Sequence, residues 1–459
     1  MKIIVCGAGQ VGLGIVRQLV KEENSVTVID PVPEQVQRVN DTLEVTSFVG
    51  YPSHPTVLEK AGAADAEMII AVTMSDEINM IVCQVAHSLF NIPIKVARIR
   101  HKNYLQPMWK DLYRHDHLPI DYIISPEREV AHAIMNRLHV PGAIDTIPFA
   151  EEKINVVELR ITEDCPMMGQ TIARVHDHCS HLVMAIAGIK RQENFIIPDD
   201  HETLQQGDEI FFVVDTVSIR KVMSIFGNEA REARRVLIIG GGNIGFFIAQ
   251  ELESEGLGMS AKIIEINKER AEYIASQLQQ VTVIHGSSLE QEILFEANVE
   301  STETVIAVSN DDEVNLLSSL LCKRFGAQRA FTLINKGRSY GPLVASLGID
   351  VTIDPREMTV SSILQHTRRG KVRAAHAICG GAAEIIETEL GMHSSLVGRT
   401  IEDIEIPSGV RIISVYREGK VLVVQQDTAF RERDRLIVVV LTTHLRKFDR
   451  IFSARMDYF

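Results

Sequence analysis

Three things are missing from this 459-residue chain: a paired-cysteine pattern, an apolar run of membrane length, and a surplus of basic charge. The six cysteines (6, 83, 165, 179, 322 and 379) are scattered, with no CxxC and no short spacing. That excludes a disulfide framework and reads as buried thiols in a reducing compartment. The richest apolar stretch, Val236 to Ala249, is interrupted by Gly240-Gly241-Gly242-Asn243, so nothing approaches the ~18 residues of a membrane span. The net charge of −14 argues against nucleic acid as a partner. Such acidity suits docking on basic cytoplasmic loops of a membrane protein, or simply keeps a cytosolic protein soluble. A strand pattern begins at Lys2, so no signal peptide is expected.

What remains is ordinary globular composition, 45% hydrophobic and 24% charged, at a length that supports two to four domains. The chain opens on Lys2-Ile3-Ile4-Val5-Cys6, then Gly7-Ala8-Gly9-Gln10-Val11-Gly12, then an apolar helical pattern through Ile15, Val16 and Leu19. Strand, glycine turn and helix follow in the order a dinucleotide site needs. Gly7 permits the tight turn, Gly9 lets a pyrophosphate approach, and Gly12 lets the helix lie close to the strand. Free N–H groups at the helix start would face the phosphates. A second strand, Val26 to Ile29, ends in Asp30, 23 residues after Gly7, where a carboxylate that holds ribose hydroxyls is expected. That acid predicts NAD rather than NADP, since it repels a 2′-phosphate.

The following segments alternate between helix and strand patterns. A helix over 34–39, a strand over 45–49, a helix over 55–61, a buried strand over 68–72 and a helix from Asp76 are predicted in turn. Strands over 94–99 and 122–124 complete a doubly wound parallel sheet. Thr73, Met74 and Arg98 fall near strand ends, where ligands of such sheets sit, and Arg98 either neutralises a pyrophosphate or is a surface charge. Ser125-Pro126-Glu127 starts a helix, and its apolar stripe (Val130, Ile134, Leu138) packs on its own domain or crosses to a partner. Short strands over 155–159, 182–189, 194–197 and 209–214 then predict a small α+β unit, too small for the substrate domain of a typical dehydrogenase.

Beyond a charged linker, Glu229 to Arg235, the chain begins again. Val236 to Gly245 repeats the opening with a shift of 233, and Lys262-Ile263-Ile264-Glu265 repeats the second strand with its acid. The stretch Val305 to Asn315 repeats Ile69 to Asn79, Gly50 returns as Gly286, Asp354-Pro355 repeats Ser125-Pro126, and Ser395 to Ile401 repeats Pro166 to Ile172. Motif order and spacing both recur, so the whole chain is a tandem repeat. The fold class is therefore α/β: two tandem Rossmann-like doubly wound parallel sheets, each followed by a small α+β C-terminal subdomain. The predicted boundaries are 1–125, 126–228, 232–354 and 355–459. Where the first half has Ala97-Arg98-Ile99 the second has Leu333-Ile334-Asn335, and Gly207-Asp208 becomes Arg433-Asp434. The second pocket is left with three readings: another nucleotide, weak binding, or a structural copy.

These marks, GAGQVG with VTVID, AVTMSDEINM, and GGGNIG in the second copy, resemble the cytosolic subunits of Trk-type potassium-uptake systems. That family is built from tandem RCK (regulator of potassium conductance) modules, and the resemblance covers essentially the whole chain. It implies binding of NAD(H), with ATP or ADP as alternatives, at Gly7, Ala8, Gly9, Gln10, Val11, Gly12, Asp30, Thr73, Met74 and Arg98. In the second half it implies Gly240, Gly241, Gly242, Asn243, Ile244, Gly245 and Glu265. It further implies a homo-oligomeric ring, expected to be a tetramer, on the inner face of the cell membrane beneath a Trk-type potassium channel or transporter. Tyr51-Pro52 after Gly50, against Ser287-Ser288 in the second copy, makes the adenine side of the first pocket bulkier.

The other functional class is an NAD-dependent oxidoreductase, which needs an acid–base group opposite the nicotinamide and a substrate pocket. No such constellation is found, so no catalytic residue is assigned. His176-Asp177-His178-Cys179-Ser180-His181, with His115-Asp116-His117 upstream, fits no metal-finger spacing and reads as solvated surface rather than a metal site. Trp109 and Tyr113 stand at helical spacing, and packing accounts for both.

Overall fold

The computed structural model describes residues 1–21, 24–192, 194–228, 234–254, 258–335, 344, 347–364 and 372–452. Residues 229–233 of the predicted linker lie outside these. The first sheet follows from its sequence periodicity. Strands β1 (Lys2–Cys6), β2 (Ser25–Asp30), β3 (Thr46–Val49), β4 (Met68–Ala71), β5 (Ile94–Arg98) and β6 (Tyr122–Ile124) alternate with helices α1 (Gln10–Lys21), α2 (Pro33–Thr42), α3 (Pro55–Lys60) and α4 (Asp76–Phe90). The sheet order is β3-β2-β1-β4-β5-β6, with every pairing parallel. Ile3, Val5, Val28, Ile70 and Val96 face α1, while Ile4, Cys6, Ile29, Ala71 and Ala97 face α4. Burial on both faces is why β1 and β4 read as unbroken apolar runs. α4 is capped by Ser75, whose hydroxyl accepts from Ile78 N.

The second half repeats this plan. β12 (Arg235–Ile239), β13 (Ser260–Glu265), β14 (Thr282–His285), β15 (Thr304–Ala307), β16 (Arg329–Leu333) and β17 (Val351–Ile353) form a parallel sheet in the order β14-β13-β12-β15-β16-β17. Its helices are α8 (Asn243–Ser254), α9 (Lys268–Gln277), α10 (Gln291–Glu296) and α11 (Asp312–Arg324).

A small antiparallel sheet follows each parallel one. The first joins β7 (Asp145–Phe149), β8 (Ile154–Arg160), β9 (Met184–Arg191), β10 (Asn194–Ile196) and β11 (Glu209–Asp215) in the order β10-β9-β11-β8-β7, with α6 (Ile172–His178) and α7 (Ile219–Ile225). The second joins β18 (Val372–Ile378), β19 (Ala383–Glu389), β20 (Val410–Arg417), β21 (Lys420–Val423) and β22 (Arg435–Leu441), ending in α13 (Leu445–Phe452). Alternate residues of β11 and β22 serve two cores. Phe211, Val213, Ile437 and Val439 meet in an apolar layer shared by the two small sheets, while Phe212 and Val438 face their own helices. In each small sheet an arginine grips the turn aspartate with two bonds: Arg191 to Asp208 at 2.9 and 2.8 Å, and Arg417 to Asp434 at 2.7 and 2.6 Å.

The polypeptide divides into two compact units that do not coincide with its two sequence halves. Met1–Val130 and Asp354–Thr367 form one, and Ala131–Ile353 with Arg368–Phe459 the other. The division falls inside α5 (Pro126–His139), and α12 (Pro355–Leu364) of the second half belongs to the first unit. There Ile363 is fully buried in the core with Val16 and Leu19 of α1. Gly14 admits the helix: a Cβ on it would lie 3.1 Å from Val360 Cγ2. Beyond the division, α5 meets α8, with His132 Nδ1 3.2 Å from Glu251 Oε1.

Candidate nucleotide site

In the first glycine turn three glycines have three different reasons to be glycine. Gly7 has φ +111°, and a Cβ on it would press to 3.0 Å from the backbone of Val72. A Cβ on Gly12 would stand 1.8 Å from the Gly7 carbonyl oxygen, so α1 could not start where it does. Gly9 has nothing within 4 Å of a built Cβ, leaving a cradle open to solvent. Gly7 N donates to Ile29 O at 2.8 Å. The N–H groups of Gly9, Gln10 and Val11 meet no acceptor among the described residues. They are the unpaired first-turn donors of α1, at its positive end.

Asp30, only 8% exposed, ends β2 beneath this turn. Its Oδ2 accepts from Ala8 N at 2.6 Å and its Oδ1 from Val32 N at 2.8 Å. The carboxylate thus fastens the turn, and each oxygen keeps a further lone pair for a hydroxyl. Thr73 follows β4, and its N–H and hydroxyl both donate to Asn79 Oδ1, at 2.9 and 2.7 Å. Met74 beside it is 82% exposed. Arg98 ends β5 on the α1 face, two residues beyond Val96. Its Nε is buried without a partner. Burial, then the nearby Arg100, pulls its pKa below the ordinary guanidinium value, with Glu127 and Asp76 opposing. Tyr51 is 56% exposed, its ring 5.3 Å from that of His54.

The second turn copies the frame and changes its cover. Gly240 has φ +97°, a Cβ on Gly245 would lie 2.0 Å from the Gly240 carbonyl oxygen, and Gly242 is open like Gly9. Glu265 accepts from Gly241 N at 2.7 Å and Asn267 N at 2.8 Å, as Asp30 does in the first turn. Arg270 Nε donates to the Gly241 carbonyl at 2.7 Å, with its guanidinium over Phe246 and Tyr273 at 5.5 and 5.3 Å. Asn243 and Ile244 begin α8. At the Arg98 position this half has buried Leu333, one residue before the Ile334 that sequence alignment puts there: Leu333 pairs with Ile353 as Arg98 does with Ile124.

Asn79, fully buried, was not singled out from the sequence as a site residue. It takes both bonds from Thr73 and donates to the Arg98 carbonyl at 2.8 Å, tying the ends of β4 and β5. Asn315 does the same for Ser309 and the Leu333 carbonyl. Asp76 accepts from Arg100 N and His101 N at 2.9 and 2.7 Å, and Asp312 from Asn335 N at 2.8 Å. The signal was the repeated Asp-Glu-x-Asn itself. The histidines do not gather. His176 accepts from Ile186 N, His178 contacts the Arg174 carbonyl, and His115 lies edge-on to His87 at 4.3 Å. Among the described residues no three His, Cys, Asp or Glu side chains could hold a metal ion together. Packing accounts for Tyr113, whose hydroxyl donates to the Tyr104 carbonyl, but not for Trp109, which is 53% exposed because its short 3₁₀ turn leaves the ring outside the core.

The TrkA-N domain family matches residues 3–126 and 236–355, and the TrkA-C domain family residues 156–227 and 385–453. The "Trk system potassium uptake protein TrkA" of Azorhizobium caulinodans is 42% identical over 459 residues, covering all of both chains. Among solved structures, "Crystal Structure of the GsuK RCK domain" superposes with a TM-score of 0.60 at 19% identity, covering 98% of this chain and 94% of that one. "GsuK channel bound to NAD" gives 0.60 at 18%, covering 98% and 78%. At these identities the likeness is one of fold.

Proposed function

The chain belongs to the TrkA family of Trk system potassium uptake proteins, and from that membership we propose that it is a cytoplasmic regulatory subunit whose nucleotide occupancy gates a Trk-type membrane potassium channel or transporter. Members carry the name of a transport system rather than of an enzyme. The first pocket takes NAD or NADH, with ATP and ADP as the alternative ligands. The phosphates lie on the amides of Gly9, Gln10 and Val11, between Gly7, Ala8 and Gly12, while Asp30 holds the adenosine ribose. Thr73, Met74 and Arg98 line the far side. In the second pocket Gly240 to Gly245 and Glu265 have the corresponding roles. Sequence boundaries 1–125, 126–228, 232–354 and 355–459 divide the chain into two sheet domains and two small subdomains. The protein works as a homo-oligomer, a tetramer, on the inner face of the membrane.

One observation carries the reading: three free first-turn amides and an open glycine cradle stand beside a buried carboxylate at the end of the second strand. The solved fold neighbour described as bound to NAD supports the choice of ligand. Gating needs only that nucleotide bind two arrangements of the assembly unequally.

A thermal-shift panel of NAD, NADH, NADP, ATP and ADP on wild type, Asp30→Ala and Glu265→Ala tests it. Ligand at ~100 times its dissociation constant adds about 2.7 kcal/mol of stability. NAD or NADH should stabilise the wild type more than NADP does, and Asp30→Ala should remove the first pocket's share of the shift, Glu265→Ala the second's. Because Asp30 also holds Ala8 N and Val32 N, Asp30→Asn, which keeps an acceptor, separates lost binding from a loosened turn. An intact NAD shift in both Asp30 variants overturns the assignment.

A further inference from the structure

Three buried polar atoms at one corner of the first unit have no hydrogen-bond partner: Arg98 Nε, Ser125 Oγ and Glu127 Oε2. Such atoms are uncommon in folded proteins, and each calls for a reason. They belong to one cluster. Arg98 pairs in register with Ile124, the residue before Ser125, and Ile99 N donates to the Ile124 carbonyl at 3.0 Å. Glu127 Oε1 lies 3.1 Å from Arg100 Nε, and the Glu127 charge acts on Arg98.

Ser125 sits where a serine hydroxyl would ordinarily cap the helix that follows. Here Arg128 N and Glu129 N both donate to its carbonyl, each at 3.0 Å, and the hydroxyl is left over on a residue only 5% exposed. The neighbouring cap in the same sheet, Ser75, does use its hydroxyl on the helix. The cluster stands at the carboxyl ends of β5 and β6, with Arg98 on the face that carries α1 and the glycine turn. In a sheet of this order a dinucleotide crosses at β1 and β4. Its first nucleoside leans toward β2 and β3, and its second toward β5 and β6.

We infer that Arg98, Ser125 and Glu127 form the subsite for the second ribose of a dinucleotide. This rests on the reading of the glycine turn as the nucleotide site. A vicinal diol both donates and accepts. Glu127 Oε2 accepts a hydrogen bond from a ribose hydroxyl as Asp30 does for the first ribose, Arg98 Nε donates to a ribose oxygen, and the Ser125 hydroxyl serves in either sense. A terminal phosphate fits this set poorly, since Glu127 would face it with its unpaired oxygen. The aligned positions of the second half are Leu333, Asp354 and Arg356, so preference for a dinucleotide belongs to the first pocket.

Calorimetric titration of the full chain with ADP and with ADP-ribose, which adds only the second ribose, tests this in a Gly242→Ala background that silences the second pocket, on the otherwise unchanged chain, Glu127→Gln, Ser125→Ala and Gly9→Ala. The otherwise unchanged chain should prefer ADP-ribose. Glu127→Gln should weaken ADP-ribose about tenfold or more, the usual scale for a bond to a charged group. Ser125→Ala should weaken it by about a factor of three to five, with ADP within about twofold in both variants. Ser125→Ala leaves the Glu127–Arg100 pair in place, so a fold weakened by Glu127→Gln does not decide the matter. Equal losses for the two ligands, or no loss, overturn the subsite. If Gly9→Ala leaves both ligands bound, the glycine turn is not the site and the two readings fall together. If Gly9→Ala removes both while neither other variant changes the preference, only the subsite falls.

Discussion

Gly9 and Gly12 stand three residues apart and answer to different demands. A methyl group on Gly12 meets the Gly7 carbonyl oxygen at 1.8 Å, so Gly12→Ala is expected to destabilise the first sheet by roughly 1–3 kcal/mol, the range for overpacking. A methyl on Gly9 meets nothing, so Gly9→Ala should keep its unfolding within about 0.5 kcal/mol of wild type while losing the first pocket's share of the nucleotide-induced stabilisation. Chemical denaturation with and without NADH reads both outcomes. The close approach at Gly12 and the open space at Gly9 were legible in the sequence because glycine turns are read by backbone geometry alone. Arg270 was not, since no local rule says that a residue on α9 will fold back on the Gly241 carbonyl. Another residue-scale prediction concerns pH. On the face of β8 toward the other small sheet, burial pushes Glu158 up to about 8, with Asp145 and Glu209 adding and Lys190 and Arg137 opposing. Burial lowers His376 to about 4, with Asp145 opposing. From the ordinary carboxylate value up to about 8 the folded chain keeps a Glu158 proton that the unfolded chain has released, so stability is lost as pH rises through that window. His376 acts oppositely, its contribution present above about 6.5 and lost as pH falls toward 4. Between about pH 6.5 and 8 the Glu158 slope, up to about 1.4 kcal/mol per unit, should stand out in urea titrations and vanish in Glu158→Gln.

At the scale of elements, α12 shows what a linear reading cannot supply. Its apolar face was expected from the copy of α5, but whether such a helix stays with its own domain depends on small gaps elsewhere, here the one Gly14 leaves on α1. Ile363→Ala should therefore destabilise the first unit by about 2–5 kcal/mol, the usual cost of truncating a fully buried aliphatic side chain, although it lies in the second half of the sequence. Trp109, the single tryptophan, belongs to the first unit, and its fluorescence during urea unfolding should report the loss as a lower midpoint. An unchanged midpoint would place the packing of α12 elsewhere. The strand β7 also escaped the sequence reading, because Pro148 interrupts it and proline ordinarily argues against a strand. As the outermost strand, paired on one side only with β8, it tolerates the missing donor. The central parallel strands β1 and β4 were plain by contrast, since burial on both faces makes Ile3 to Cys6 and Met68 to Ala71 continuous apolar runs.

For the whole molecule the decisive feature is that one chain carries two glycine turns of unlike cover. Both keep the carboxylate fastening and the open glycine, Gly9 or Gly242. Only the first has an arginine at the end of its fifth strand, and only the second has Arg270 drawn over the turn. Two pockets with different cationic partners should bind the same nucleotide with different affinity, which gives a chain that responds in two steps as concentration rises. Titration of NADH into the full chain is therefore expected to resolve two classes of site, with Gly9→Ala deleting one, Gly242→Ala the other, and the double variant both. Among the described residues no helix is long and apolar enough to cross a membrane. The same variants identify the lever. If nucleotide acts on the transporter through the first pocket, co-purification of the chain with a Trk-type membrane subunit should change with NADH in wild type and in Gly242→Ala, and be indifferent to NADH in Gly9→Ala. A partner that binds equally with and without NADH in wild type, while calorimetry shows both pockets filling, would mean that nucleotide binds both arrangements alike and gates nothing.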